Sequence, residues 1–245
     1  MKTIIYPIAN GNYTDSNIPL LMSLRSIEKF IKEDVRVVVV SERMPPYLSD
    51  EVAYAECCSY LNALEVATTL DTEFLWMNDD IILLRDWTWD QLKSWRRGAS
   101  QVSESRQEGM ITGGGAWARR KGLVLKQLRE EGKSTFDYST HTPYFYKSDE
   151  LRDILSRFSY GYKTPVETAY GNSVDVDIAF TGGVLSRHSE KFLPVDVSSY
   201  GLLNFDDTGF TDHMKGFLLG MFPTPSRFED LGTCNLATTL LNQIK

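Results

Sequence analysis

Residues 74–87, FLWMNDDIILLRDW, decide how this chain is read. Four apolar residues, Phe74, Leu75, Trp76 and Met77, are interrupted by Asn78, Asp79 and Asp80 and followed by a second apolar run, Ile81 to Leu84. Short unbroken apolar runs predict strands buried on both faces. Adjacent carboxylates at the end of such a strand cannot be buried cheaply without a positive partner. A divalent cation meets that need: hard oxygen ligands suit Mg²⁺ or Mn²⁺, and such an ion would hold the diphosphate of a nucleotide. In open α/β sheets ligands bind beyond the carboxyl ends of the strands, where this pair falls. The same three residues also fit a plain polar turn between two strands. Both readings stand at this level.

Upstream, Thr3 to Ile8 reads as a strand closed by Asn10-Gly11. Residues 17–32 carry Pro19 near a helix start and place Leu21, Leu24, Ile27 and Ile31 on one helical face. Val35 to Val40 follows as a second buried strand, completing a βαβ unit. The first loop, Ser41 and the acid pair therefore share one sheet edge. A helix over Ser59 to Thr69 leads into the Phe74 strand. The fold class is α/β: a mixed, Rossmann-like sheet flanked by helices, in one domain over residues 1–245 with inserted loops.

Downstream, Trp87, Trp89 and Trp95 read as core beneath the site. Residues 100–108 read as a polar loop, and ITGGGAWARRKG (111–122) as a glycine turn before a basic helix, with a partial echo in FTGGVLSRH (180–188). Thr140-His141-Thr142-Pro143 precedes a helix capped by Ser148 or Asp149 and running to Phe158. Asp175 and Asp177 precede a short strand, Asp206-Asp207 is a second acid pair, and Asp212-His213 follows it closely. Phe222 to Glu229 is a rigid loop before a closing helix at 234–243.

Composition bounds the function classes. With 42% hydrophobic and 24% charged residues, the chain has the balance of an ordinary globular domain. It opens without a signal-peptide pattern and contains no apolar run long enough to span a membrane, so the expectation is a cytoplasmic protein. Cys57, Cys58 and Cys234 lack metal-ligand spacing and read as reduced thiols. A net charge of −7 argues against a general coat for nucleic acid. Lys93 to Lys133 nevertheless carries ten basic residues against four acidic ones, which keeps a nucleic-acid acceptor, such as a hydroxylated base in DNA, among the partners considered.

The blocks LRSIEKF (24–30), VVVVSERMPPYLSD (37–50), FLWMNDDIILL (74–84), THTPYFYKSDEL (140–151), NFDD (204–207) and FPTPSRFE (222–229) occur in an order that resembles the Stealth family of capsule sugar-phosphate transferases. The resemblance covers most of the chain and implies a GT-A-type nucleotide-sugar fold. Residues 1–90 would form the nucleotide-sugar-binding half and 91–245 the acceptor-side, catalytic half. It implies a catalytic set of His141, Asp206 and Asp207. The nucleotide-sugar-binding set would be Asn10, Gly11, Arg25, Asn78, Asp79, Lys163 and Arg227. Asp80 would hold the metal, and His213 would join it by analogy of fold. Asn10 stands where the family has an aspartate, and Lys163 where it has an arginine-rich stretch. Those departures bear on sugar-1-phosphate transfer more than on nucleotide-sugar binding. The expected activity is transfer of a sugar from a UDP-type donor to the hydroxyl of a glycan or other acceptor. The alternatives are transfer of sugar-1-phosphate, and a non-catalytic nucleotide-sugar-binding module.

Overall fold

The computed structural model describes residues 2–8, 17–57, 59–94, 101–158, 164–174, 183–187, 197, 199–206 and 208–232. Its first half alternates β1 (Lys2–Pro7), α1 (Ile18–Phe30), β2 (Val35–Ser41), β3 (Val52–Glu56), α2 (Tyr60–Leu70), β4 (Glu73–Trp76) and β5 (Ile81–Leu83). Then come α3 (Trp89–Ser94), α4 (Glu104–Gly113), α5 (Ala116–Glu130), β6 (Tyr144–Lys147), α6 (Ser148–Arg157) and α7 (Val166–Ser173). β7 (Gly183–Arg187), β8 (Tyr200–Phe205) and α8 (Asp212–Met221) complete the described elements.

The main sheet has the order β3-β2-β1-β4-β6. β1 pairs in parallel with β2 and β4, β2 in parallel with β3, and β6 closes the edge antiparallel to β4. Alternation along the strands divides two cores, because successive side chains point to opposite faces. Ile4, Tyr6, Val37, Val39, Leu75 and Met77 pack with Leu20, Leu24 and Ile27 of α1. Ile5, Val38, Val40, Phe74 and Trp76 pack on the other face with α2, α5, α6 and α7. Burial on both faces is why these strands read as continuous apolar runs.

A second sheet, β5-β8-β7, pairs β5 antiparallel to β8 and β7 parallel to β8. It continues the α1 core through Ile82, Leu83, Leu202 and Leu203, with Met214 and Leu218 of α8 packed in. Trp87 and Trp89 are buried there, as core residues; Trp95 lies outside the described residues.

Several elements differ from the sequence reading. The polar stretch at 100–108 is not a loop throughout: Ser103 accepts a hydrogen bond from Arg106 N at 3.3 Å and so caps α4, which starts at Glu104. The glycines of 113–115 turn α4 back onto α5. A Cβ at Gly114 would meet Met110 O at 2.6 Å, and one at Gly122 would meet Ile111 Cγ1 at 2.6 Å, so both serve close helix packing. β3, α3, β6, α7, β8 and α8 were not legible as elements. The residues proposed for a closing helix at 234–243, together with Asp175, Asp177 and residues 180–182 and 188 of the 180–188 echo, lie outside the described residues. Among the described residues no helix is long and apolar enough to cross a membrane.

Candidate active site at the carboxyl edge of the sheet

The acid pair sits where β4 ends. Met77 N still bonds Ile5 O of β1 at 2.9 Å; the chain then turns, with Ile81 N on Asn78 O at 3.2 Å, and enters β5. Two serines of α1 hold the strand after the turn. Ser23 Oγ donates to Ile81 O at 2.6 Å, and Ser26 Oγ accepts from Leu83 N at 3.0 Å. α1 thereby fixes both ends of the problem, because its cap residue reaches the first carboxylate. Asn17 Oδ1 accepts from Leu20 N at 3.0 Å while its Nδ2 donates to Asp79 Oδ2 at 2.7 Å.

Across the turn, His141 Nε2 lies 2.7 and 2.8 Å from the two carboxylate oxygens of Asp80. Pairing of Trp76 with Tyr144 brings the preceding segment, Thr140 to Thr142, to this edge. His141 has φ 51°, a left-handed conformation costly for a residue with a Cβ. Its carbonyl accepts from Asn204 Nδ2 at 2.5 Å. Asn204 is fully buried and opposes Ile81 in the β5–β8 ladder. The antiparallel pairing thus sets the end of β8, and Asp206 just after it, beside the start of β5.

The electrostatics are unbalanced toward negative charge. Burial, then the neighbouring Asp80, pushes the Asp79 carboxyl up to about 6, against the lowering effect of Asn17 and His141. For His141, burial pulls the imidazole pKa down, but the hydrogen bond and charge of Asp80, with Asp79 and Glu167, outweigh it and leave it above the ordinary 6.5. Glu167, in the first turn of α7, is pushed up to about 7, chiefly by burial, with Lys121 opposing the shift and Asp137 adding to it. Neither Glu167 nor the two asparagines Asn17 and Asn204 stood out as site residues in the sequence. Asn17 did carry a usable signal, a cap residue two positions before Pro19 of α1.

The remaining site expectations divide by place. Asn78 opens the acid turn. Asp206 is exposed, and its Oδ1 closes a turn by accepting from Thr208 N, Thr208 Oγ1 and Gly209 N at 2.7 to 3.0 Å. His213 is exposed in the first turn of α8. Asn10, Gly11, Lys163 and Asp207 lie outside the described residues.

Two arginines expected at the site have their partners elsewhere. Arg25 lies two turns into α1, about 12 Å along the axis from Asn17. Its guanidinium is buried on Glu229, at 2.8 and 2.6 Å, and on Phe222 O at 2.9 Å, which makes it a core ion pair. Arg227 donates to Val35 O at 3.2 Å and neighbours Asp34 and Glu51, each at 3.6 Å. Val35 opens β2, so Arg227 belongs to the opposite sheet edge. The basic segment is answered in part from within: Lys93 pairs with Glu73, Lys121 with Asp137 and Lys126 with Glu130, and Arg129 donates to Gln107 and Val102 O. Arg96 and Arg97 lie outside the described residues. Nothing in the comparisons below supports a nucleic-acid acceptor.

A divalent cation fits the donor set. Two carboxylates supply hard oxygens and a surplus of negative charge. Among the described residues no group of three His, Cys, Asp or Glu side chains gathers around one point. Mg²⁺ in general takes one or two carboxylates and completes its shell with substrate phosphates and water.

No family model matches the chain, and no curated protein matches it in sequence. The Stealth resemblance accordingly rests on the ordered blocks alone. Solved structures do match. A galactosyltransferase, LgtC, in complex with donor and acceptor sugar analogues superposes with a TM-score of 0.51 at 10% identity, over 91% of this chain and 97% of that one. An active-site mutant of LgtC gives a TM-score of 0.50 at 10% identity over the same shares. At that identity the likeness speaks for the fold, and the fold is the GT-A glycosyltransferase fold: a parallel-rich central sheet flanked by helices.

Proposed function

We propose that the chain is a nucleotide-sugar-dependent glycosyltransferase with its reaction centre at Asp79, Asp80 and His141. One observation carries the reading: at the carboxyl edge of a GT-A sheet, two adjacent carboxylates are held by separate polar clamps, Asn17 on Asp79 and His141 on Asp80. A structural turn needs neither clamp.

Asp79 and Asp80 would hold Mn²⁺ or Mg²⁺, which when bound supplies positive charge for a departing diphosphate. Asn17 fixes the rotamer of Asp79 from the start of α1. His141, held on Asp80 at 2.7 Å, is assigned to stabilising negative charge on the leaving oxygen. The base that takes the acceptor hydroxyl's proton is then assigned to Asp206, just after β8, or to its sequence neighbour Asp207. His213, nearby in sequence, is a candidate further ligand. The donor is of UDP type and the acceptor a glycan hydroxyl.

The test is incubation of purified protein with Mn²⁺ and a panel of nucleotide sugars, identifying the released nucleotide by mass. Nucleoside diphosphate, absent with Asp80→Ala, is the expected result. Monophosphate would instead establish sugar-1-phosphate transfer, the reaction to which the ordered sequence blocks point. Binding of a nucleotide sugar without turnover, with or without acceptor glycans, would mark a binding module. Absence of both release and binding overturns the proposal.

A further inference from the structure

Among the described residues His141 is the non-glycine residue with positive φ. That conformation directs its ring onto Asp80 and its carbonyl inward, toward β8. The carbonyl is met by Asn204 Nδ2 at 2.5 Å. Asn204 is a polar residue in an apolar stretch of strand: Leu202, Leu203 and Phe205 around it belong to the core, and its partner across the ladder is Ile81. Its Oδ1 is buried and, among the described residues, has no hydrogen-bond partner. An unmet buried acceptor costs stability, and a leucine of the same branching would remove that cost. What the amide contributes is therefore the one bond that it makes.

We propose that Asn204 is a positioning residue, whose side-chain amide holds the His141 peptide in its left-handed conformation and thereby keeps the imidazole on Asp80. The peptide at 141 has two accessible states. In the observed one the Asn204 bond offsets the backbone cost; without that bond the residue relaxes to negative φ and the ring leaves the carboxylate. Local strain at a site persists only where its surroundings over-determine it, and Asn204 is the part of those surroundings that the β8 strand supplies. The inference deepens the proposed function, since His141 matters to turnover only on that reading, but its placement can be read without any substrate.

The chain has three histidines, so imidazole carbon–proton NMR spectra are simple to assign, with His141→Gln identifying the His141 signal. In Asp80→Asn that signal moves because its partner has changed. In Asn204→Leu it is expected to move away from its wild-type position toward that of a free imidazole, with the melting temperature within about 4 °C of wild type or higher. Turnover is expected to fall about tenfold, the size of one lost hydrogen bond, with KM for the donor little changed. Asn204→Ala provides a second variant if leucine does not pack. An unmoved His141 signal in either folded variant overturns the proposal, whether or not transfer is ever detected. So does unfolding of both, which would make Asn204 a residue of the core alone. A moved signal with unchanged turnover upholds the positioning role and removes His141 from the reaction.

Discussion

Two charged clusters are tied to α1, and they are built on opposite principles. Near its middle, Arg25 meets Glu229 in a bidentate pair, 4% and 0% exposed, and Glu229 also accepts from Ser226 N and Oγ at 2.7 and 2.9 Å. Charge is balanced and several donors converge on one carboxylate. At the helix start, Asp79 and Asp80 stand side by side with one imidazole, which bonds Asp80, a strained backbone at His141 and, among the described residues, an orphaned amide oxygen at Asn204. A closed network is what stability requires of buried charge. On the proposed function, an open one, with surplus charge of one sign, would be completed by a ligand.

That contrast can be broken most directly at Asp80. Asp80→Asn should lower turnover by about 10²-fold or more, the scale of losing one group that stabilises transition-state charge. Its urea midpoint should stay level or rise, because repulsion with Asp79 is relieved. The opposite pattern is expected at the closed pair. Glu229→Ala strands the Arg25 guanidinium in the core and should cost about 3–5 kcal/mol by urea denaturation, with activity per folded molecule retained. If Glu229→Ala instead abolished turnover in a folded protein, the division into a structural and a functional cluster would fail.

A smaller effect separates the clusters by pH. Asp79 and Glu167 both have carboxyl pKa values raised in the folded chain, to about 6 and about 7. The folded state then binds protons more tightly than the unfolded one, so stability declines as pH rises from the ordinary carboxyl range through those values. Denaturation midpoints between pH 5 and 8 should show that decline, and Glu167→Gln should flatten its upper part. A profile unchanged in Glu167→Gln would remove Glu167 from the charge balance around His141. Smallest is Asn17→Ala, which should cost about 1 kcal/mol as a lost helix cap and weaken donor binding through Asp79. A loss of stability with donor affinity intact would make Asn17 a cap and nothing more.

The legible part of the fold follows from local pattern. FLWM and VRVVVV announced buried strands because both faces of the sheet are covered, and Pro19 with periodic leucines announced α1. β6 was harder to read, since its four residues alternate between faces and join the sheet only by pairing with β4. α4 was masked by its polar composition, because it packs on α5 largely through the close approach at Gly122. At the site, adjacent acids and a histidine flanked by threonines stood out by residue type. Arg25 stood out for the same reason, and a side chain's chemistry does not say which partner it finds 204 residues away.

The sequence by itself determined that this is an α/β chain with its acid pair at a strand's carboxyl end, because hydrophobic periodicity and the cost of burying charge are local properties. Tertiary structure alone decided which groups meet that pair. Asn17 arrives on a helix cap, His141 through an antiparallel edge strand, and Asn204 through a second sheet. Contacts that close across 61 to 63 residues of chain are set by strand pairing and core packing, and no local window of the sequence contains both of their ends.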